Sequence, residues 1–168
     1  MPRSKQATRG FALEAAQLAF ITGPVSISVG SCNAAMVPSL ARGLGCRYDR
    51  RQQTITVFVA TARAPSVLRD LRAGGGLAVV CSRPTTHQTL QIKGRNAVVT
   101  ALAEGDRECM LAYAEAFTGE LCSLGHSAHF AAGVVQGAAD DAVAVSFMPL
   151  KLFEQTPGPG AGKALGGS

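Results

Sequence analysis

The sequence predicts a small antiparallel β-barrel decorated with helices, a mainly β fold of the α+β type. Six short segments have strand patterns: segments such as 25–30 and 142–150 alternate apolar and polar residues with the period of two that is typical of half-buried strands, and 77–82 is a continuous apolar run. Turn residues separate these segments, and only a few stretches show helical spacing. The 168 residues, of which 47% are hydrophobic and 16% charged, fit one compact domain and exclude a wholly disordered chain.

In the first half of the chain, two helices accompany four strands. The first helix is predicted to run from Ala12 to Thr22, because the Gly23-Pro24 pair that follows ends helices. The second helix begins at Pro65 and ends at a run of three glycines. The strands of this half are expected at 25–30, at 36–42 with an extension through 47–48, at 54–61 and at 77–82.

In the second half, two more strands enclose a longer helix. The strands are expected at 89–99 and 142–150, and Asp106 is interpreted as the N-cap of a helix that continues to about Gly119. Residues 122–141 allow either a short helix or irregular cover. The chain is then divided into a disordered start at 1–11, the barrel domain at 12–155 and a Gly/Pro-rich tail at 156–168 that is predicted to form no regular element.

Charge and cysteine content limit the classes of partner and compartment. Residues 1–84 carry eleven Lys and Arg against three Asp and Glu, and residues 85–168 carry five against eight. The arginines are scattered and few aromatics accompany them, so a phosphate-bearing small molecule fits better than nucleic acid. No apolar run approaches the roughly 18 residues of a membrane-spanning helix, so no membrane partner is predicted. Five cysteines without a CxxC pair indicate a reducing, cytoplasmic compartment.

The strand–loop–helix segment Phe58–Leu71 is the strongest candidate for a binding site. Thr61 and Arg63 lie in its predicted loop, and its helix begins at Pro65 and Ser66. The unpaired N–H groups and the positive dipole end of a helix start attract anions, and hydroxyl and guanidinium groups bind phosphate oxygens. The alternative is that Ser66 only caps the helix and that Arg63 is solvated.

A second candidate lies on the predicted strand 89–99. Gln91 and Lys93 share one face of this strand, opposite Leu90 and Ile92. An amide and a cation suit the polar edge of a uracil-like ring that becomes more anionic on reduction. The alternative is an ordinary solvent-facing side of a strand.

Two further segments carry side chains that bind anions or metals. Residues 38–42 can aim Ser39 or Arg42 at an anion. Cys122, His126 and His129 have the spacing Cys-x3-His-x2-His, which is not a standard zinc pattern and has no second cluster of ligands to complete it. No metal site is predicted.

These segments, in this order, resemble the pyridoxamine 5′-phosphate oxidase-related, FMN-binding split-barrel family. The similarity covers about residues 12–155 and rests on a helix and a strand, then PSLAR, a strand ending FVATAR, a short helix, an apolar strand and TLQIKG. The resemblance implies a six-stranded antiparallel split barrel that forms a homodimer, with FMN in a cleft at the subunit interface. It also implies the cofactor contacts: Arg42, Thr61, Arg63 and Ser66 would face the FMN phosphate, and Gln91 and Lys93 would approach the isoalloxazine ring.

The chain also departs from true pyridoxamine phosphate oxidases. It has Pro65-Ser66-Val67 where they have a Ser-Arg-Lys run, and it contains no Trp, which argues against vitamin B6 oxidation. The predicted function is therefore an FMN-binding oxidoreductase of this wider class, which transfers electrons or hydride through FMN to a substrate that the sequence does not define. The alternative is a non-catalytic flavin- or haem-binding protein. Its candidate haem ligands are His87, His126 and His129.

Overall fold

The computed structural model of the chain describes residues 11–135 and 140–167, which contain seven β-strands, four α-helices and one 3-10 turn. The strands are β1 (Ser26–Cys32), β2 (Pro38–Asp49), β3 (Thr54–Ala60), β4 (Leu77–Ser82), β5 (Thr89–Thr100), β6 (Ala142–Glu154) and β7 (Ala164–Gly167). The helices are α1 (Ala15–Ile21), α2 (Pro65–Arg72), α3 (Asp106–Ser123) and α4 (Ala128–Val135), and the 3-10 turn is Thr61–Arg63.

The first six strands close into an antiparallel barrel. Their order is β3-β2-β1-β4-β5-β6, and β6 also pairs with β3 to complete the ring. The predicted six-stranded antiparallel barrel is therefore confirmed. Its interior is built from the alternating apolar residues of the strands, because side chains on one strand point to opposite faces in turn. The most deeply buried of them include Ile27, Val29, Ile55, Val57, Ile92 and Leu152.

The prediction that the tail forms no regular element is wrong for its last residues, because β7 pairs with β6. The register places Gly167 opposite Lys151 and Gly166 opposite Leu152. A Cβ at Gly166 would overlap the ring of Phe11, so this strand needs a glycine to let Phe11 pack against it. Glycines carry no hydrophobic periodicity, and this contact depends on a residue more than 150 positions earlier in the chain. Residues 1–10 of the predicted disordered start lie outside the described residues.

Helix α3 covers the outer face of the barrel at β2 and β3. Phe58 is completely buried there, with Leu44, Ala60, Met110 and Ala144 forming a second, smaller core. Helix α3 is longer than predicted, because it continues to Ser123. Of the two alternatives for residues 122–141, the short helix is correct for 128–135, which form α4. None of the helices in the described ranges is long and apolar enough to cross a membrane.

The assignment of Asp106 as N-cap requires a correction. The N-cap is Gly105, which takes a left-handed conformation with φ 83°, and no side chain caps the helix. The buried carboxylate of Asp106 instead accepts hydrogen bonds from the backbone N–H of Ala103 (2.8 Å) and from Nε of Arg47 (2.6 Å). Asp106 therefore anchors the start of α3 to β2.

Candidate functional site

One outer face of the barrel, formed by β2, β1, β4 and β5, is open. Ile27 and Val29 of β1 are buried inside the barrel, and the residues that alternate with them along the strand lie on this outer face. Cross-strand partners form two neighbouring rows over it: Leu40, Gly30, Ala78 and Lys93, and then Arg42, Ser28, Val80 and Gln91. The strand pairing therefore brings predicted site residues from β2 and β5 onto one surface.

The first row crosses a shallow groove, which we name the sheet groove. Its volume is about 650 Å³, within the range of small-molecule sites. Its floor and walls are mostly apolar or small, and Leu40 at its rim is 72% exposed. The residues that define it here are Gly30, Cys32, Leu40, Gly76, Ala78 and Lys93.

The glycines of the sheet groove are not required by the packing of the chain itself. A Cβ at Gly30 would meet its nearest neighbours, among them the backbone oxygens of Ala78 and Ser39, at 3.7 Å or more, which is ordinary contact. A Cβ at Gly76 would meet nothing within 4 Å. Positions 30 and 76 are therefore glycine although the described residues leave room for a larger side chain. The result is a flat floor on which a planar ring can lie close to the backbone.

A second group of predicted residues lies where β3 leads into α2. Thr61, Arg63 and Ser66 form what we name the helix-start cluster, and the Arg63 and Ser66 side chains are exposed. The first intrahelical bond of α2 runs from the N–H of Leu68 to the carbonyl of Ala64 (2.9 Å), so the N–H groups of Ser66 and Val67 precede the helical ladder. No side chain caps α2, so Ser66 does not have the capping role that was the structural alternative for it.

A carboxylate also lies beside the helix-start cluster. Asp141 accepts the N–H of Thr61 with its backbone oxygen (2.7 Å) and the N–H of Ala62 with Oδ2 (3.0 Å). These two donors are therefore engaged within the chain. An anion at this place would bind the hydroxyls, the Arg63 guanidinium and the first N–H groups of α2.

Helix α2 connects the helix-start cluster with the sheet groove. Asp70 on α2 is buried, and its Oδ2 accepts the hydroxyl proton of Ser39, which lines the groove, at 2.7 Å. Ser66 precedes Asp70 by four residues and lies on the same face of the helix, about 6 Å away along its axis. The helix face that carries Ser66 is therefore the one turned towards the start of β2.

Arg42 lies apart from the helix-start cluster; it is exposed, and its guanidinium lies against a ring of α3. Its Nη1 donates to Oγ of Ser26 at 3.3 Å, and its guanidinium carbon is 5.6 Å from the ring centroid of Phe117. Burial raises the pKa of the neighbouring Tyr113 hydroxyl, which donates to the carbonyl of Val25, and the Arg42 charge acts in the opposite sense. No local sequence pattern indicates this arrangement, because Phe117 is 75 positions from Arg42.

Gln91 and Lys93 lie together on the outer face of β5, as their spacing predicted. Lys93 is exposed, lines the sheet groove and places Nζ 5.3 Å from the ring centroid of Phe153. Gln91 is half-buried between Val80 and Phe153 in the strand register. In the described residues, no hydrogen bond joins Arg42, the helix-start cluster and the β5 pair to one another. The six predicted residues thus form three separate groups.

The candidate metal ligands Cys122, His126 and His129 lie on and between α3 and α4. His126 and His129 are exposed, and the His126 ring stacks on Phe130 with centroids 5.0 Å apart. Cys122 is exposed as well. Within residues 11–135 and 140–167, no three His, Cys, Asp or Glu side chains form a group that could hold a metal ion.

No family model matches the sequence, and no curated protein does so. Solved structures do match. HupZ from Group A Streptococcus superposes with a TM-score of 0.53 at 13% identity, over 89% of this chain and 100% of that one. A candidate pyridoxamine 5′-phosphate oxidase from Lactobacillus delbrueckii gives a TM-score of 0.52 at 10% identity, over 88% and 97%. An F420 reductase gives 0.51 at 12% identity, over 80% and 93%. The resemblance to the split-barrel family is confirmed at the level of the fold.

Proposed function

We propose that this chain is a flavin-binding oxidoreductase of the pyridoxamine phosphate oxidase-like class, in which FMN lies in the sheet groove. The observation that carries this proposal is the flat floor at Gly30 and Ala78, with the amide of Gln91 and the amine of Lys93 at its β5 side. A planar, largely apolar ring with one polar edge fits such a surface. Among the residues that the structure describes, no neighbour is close enough to require a glycine at Gly30 or Gly76.

In this proposal the chain binds and orients the cofactor, while FMN supplies the redox chemistry when bound. Thr61, Arg63 and Ser66 would hold the phosphate, since charge-assisted contacts to phosphate are strong and Arg63 is free to turn towards it. Lys93 would stabilise negative charge at the polar ring edge, and Gln91 offers both a donor and an acceptor there. Arg42, the remaining predicted phosphate contact, would have to exchange its bond to Ser26 for the phosphate.

We further propose that a second copy of the chain covers the sheet groove. Apolar side chains stand exposed beside it: Met36 is 76%, Val37 56% and Leu40 72% exposed. Exposed apolar clusters of this kind mark interaction sites.

Leu40→Glu should therefore shift a dimer towards monomer and weaken FMN binding at least tenfold, measured by light scattering and FMN titration. Leu111→Glu, at a 59% exposed position on α3, is the matched control and should change neither. A wild-type chain that is monomeric at all concentrations contradicts this part of the proposal.

The flavin assignment is tested by adding FMN to flavin-free protein and following its fluorescence. We expect saturable binding, and we expect Arg63→Ala to weaken it by about 10- to 100-fold, because a charged phosphate contact is lost. Arg72→Ala removes the same charge at the other end of α2 and should leave the affinity unchanged. If FMN does not bind to the wild-type chain, the proposal fails. If FMN binds but no electron donor reduces it, the chain is a flavin carrier and not an enzyme.

Thiol labelling in the same experiment locates the cofactor. Cys32 lies in the sheet groove, and Cys122 is exposed on α3. The other three thiols should react slowly with an alkylating reagent, because burial raises the pKa of Cys46, of Cys81 (to about 12) and of Cys109. FMN should slow the alkylation of Cys32 by iodoacetamide and leave Cys122 unaffected, as read by peptide mass spectrometry. Equal rates for Cys32 with and without FMN would place the cofactor elsewhere.

A further inference from the structure

Two lysines oppose each other on the outer face of the barrel. In the pairing of β5 with β6, Lys93 is the direct cross-strand partner of Lys151. Directly opposed residues of antiparallel strands point to the same face with Cβ atoms about 4.5–5.5 Å apart, and like charges there destabilise the sheet. Lys151 therefore extends the row Leu40, Gly30, Ala78 and Lys93 by one strand and adds a second positive charge beside the sheet groove.

Among residues 11–135 and 140–167, no ion pair joins Lys93 or Lys151 to an acidic side chain. Every ion pair among the described residues uses an arginine: Arg47, Arg69 or Arg107. Glu154, the acidic residue nearest to Lys151 in the sequence, is engaged with Thr156. The Glu154 carboxylate accepts the N–H of Thr156 at 2.8 Å, and hydrogen bonds from Thr156 lower its pKa. Both lysines are exposed, and Nζ of Lys93 lies 5.3 Å from the centroid of the Phe153 ring.

We infer that the Lys93–Lys151 pair binds the anionic group, a phosphate or a carboxylate, of a second small molecule that enters the sheet groove. Two amines at cross-strand distance can both contact the oxygens of one such group, and the bound anion removes their mutual repulsion. The inference rests on the proposed function in one respect, namely that this second molecule is the redox partner of the flavin. It adds that the partner is anionic and enters from the β5–β6 side, while the helix-start cluster lies at α2.

The test is calorimetric titration of the full-length, flavin-free chain with inorganic pyrophosphate and, separately, with citrate. We expect Lys151→Gln to weaken the binding of at least one of these probes about tenfold. The preferred probe distinguishes a phosphate from a carboxylate ligand. Arg107→Gln is the matched control: it removes the same charge from an exposed ion pair with Asp140, before the start of β6, and should leave the affinity unchanged. Unchanged affinity for both probes in Lys151→Gln, or no binding of either probe to the wild-type chain, overturns the inference.

A second variant tests the repulsion itself. Lys151→Glu replaces the like-charge pair with an opposite-charge pair, so we expect loss of anion binding together with a melting temperature about 1–3 °C higher. Retained binding of pyrophosphate or citrate by this variant also overturns the inference.

Titration of the same proteins with FMN separates the two proposals. Lys151→Gln should bind FMN as the wild type does. If FMN fails to bind while Lys151→Gln still loses pyrophosphate or citrate, the flavin proposal falls and the anion site stands. If FMN binds but Lys151→Gln does not change the binding of pyrophosphate or citrate, the anion site falls and the flavin proposal stands.

Discussion

Gly94→Ala is expected to lower the free energy of unfolding by about 1–3 kcal/mol, although it adds a single methyl group. Gly94 lies on β5 beside a bulge of β6, where the partners of Lys93 and Gly94 are Lys151 and Pro149 and the register shifts by one residue. A Cβ there would overlap the ring of Phe147, with two ring carbons at 3.0 Å. Phe147 is 1% exposed and packed on all sides, so its ring has no space to retreat into. Urea unfolding followed by circular dichroism measures the loss.

A second glycine provides the control for this prediction. Gly119 lies inside α3, and a Cβ there would meet nothing within 4 Å. Gly119→Ala should therefore raise the stability by about 0.5–1 kcal/mol, because alanine is the better helix former. Opposite signs for the same chemical change would show that the neighbours at Gly94 cause its effect.

The clash with Phe147 is tested separately by a double-mutant cycle. Phe147→Leu removes the ring atoms that a methyl group at position 94 would meet. Gly94→Ala should then cost at least about 1 kcal/mol less in the Phe147→Leu background than in the wild type. An unchanged cost in both backgrounds would mean that the strain lies in the backbone of the bulge and not in the contact with the ring.

Gly94 also shows how far local sequence signals reach. A glycine inside an alternating strand predicts a bulge or a close backbone approach. The structure has a bulge beside Gly94, and the group that approaches it closely is the side-chain ring of Phe147. All six predicted strands begin within two residues of their predicted positions, because strand patterns are a local property of the sequence. The predicted extension of β2 through 47–48 agrees with its end at Asp49, whereas β6 continues past its predicted end at 150 to Glu154, where its pairing with β5 continues it.

Properties that depend on distant residues were not predictable from these signals. Gly30 reads in the sequence as one more outward-facing residue of a strand, and only its pairing with Leu40 and Ala78 reveals the floor of a groove. Likewise, the spacing of Lys93 placed it beside Gln91 but gave no indication that Lys151 lies opposite. The candidate residues could thus be chosen from the sequence by their chemistry, whereas their grouping follows from the strand register.

Asp106→Ala is expected to lower the free energy of unfolding by about 2–4 kcal/mol, the largest effect that we predict for a polar residue of this chain. The Asp106 side chain is only 2% exposed, and its two oxygens accept from Nε of Arg47 and from the N–H of Ala103. Alanine leaves the Ala103 donor without its acceptor and removes the counter-charge of Arg47. The Arg47 side chain is 39% exposed and can recover water, which keeps the loss below that for a fully buried pair.

Two variants separate the charge of Asp106 from its hydrogen bonds. Asp106→Asn retains an oxygen acceptor and removes the charge, so it should be less destabilising than alanine in urea unfolding. Asp140→Ala breaks the exposed ion pair with Arg107 and should change the stability by no more than about 0.5 kcal/mol. If Asp106→Ala unfolds at the wild-type urea concentration, the carboxylate does not anchor α3. If the stability falls as expected, loosening of α3 should also free Arg42 from the Phe117 ring, since that ring belongs to the same helix.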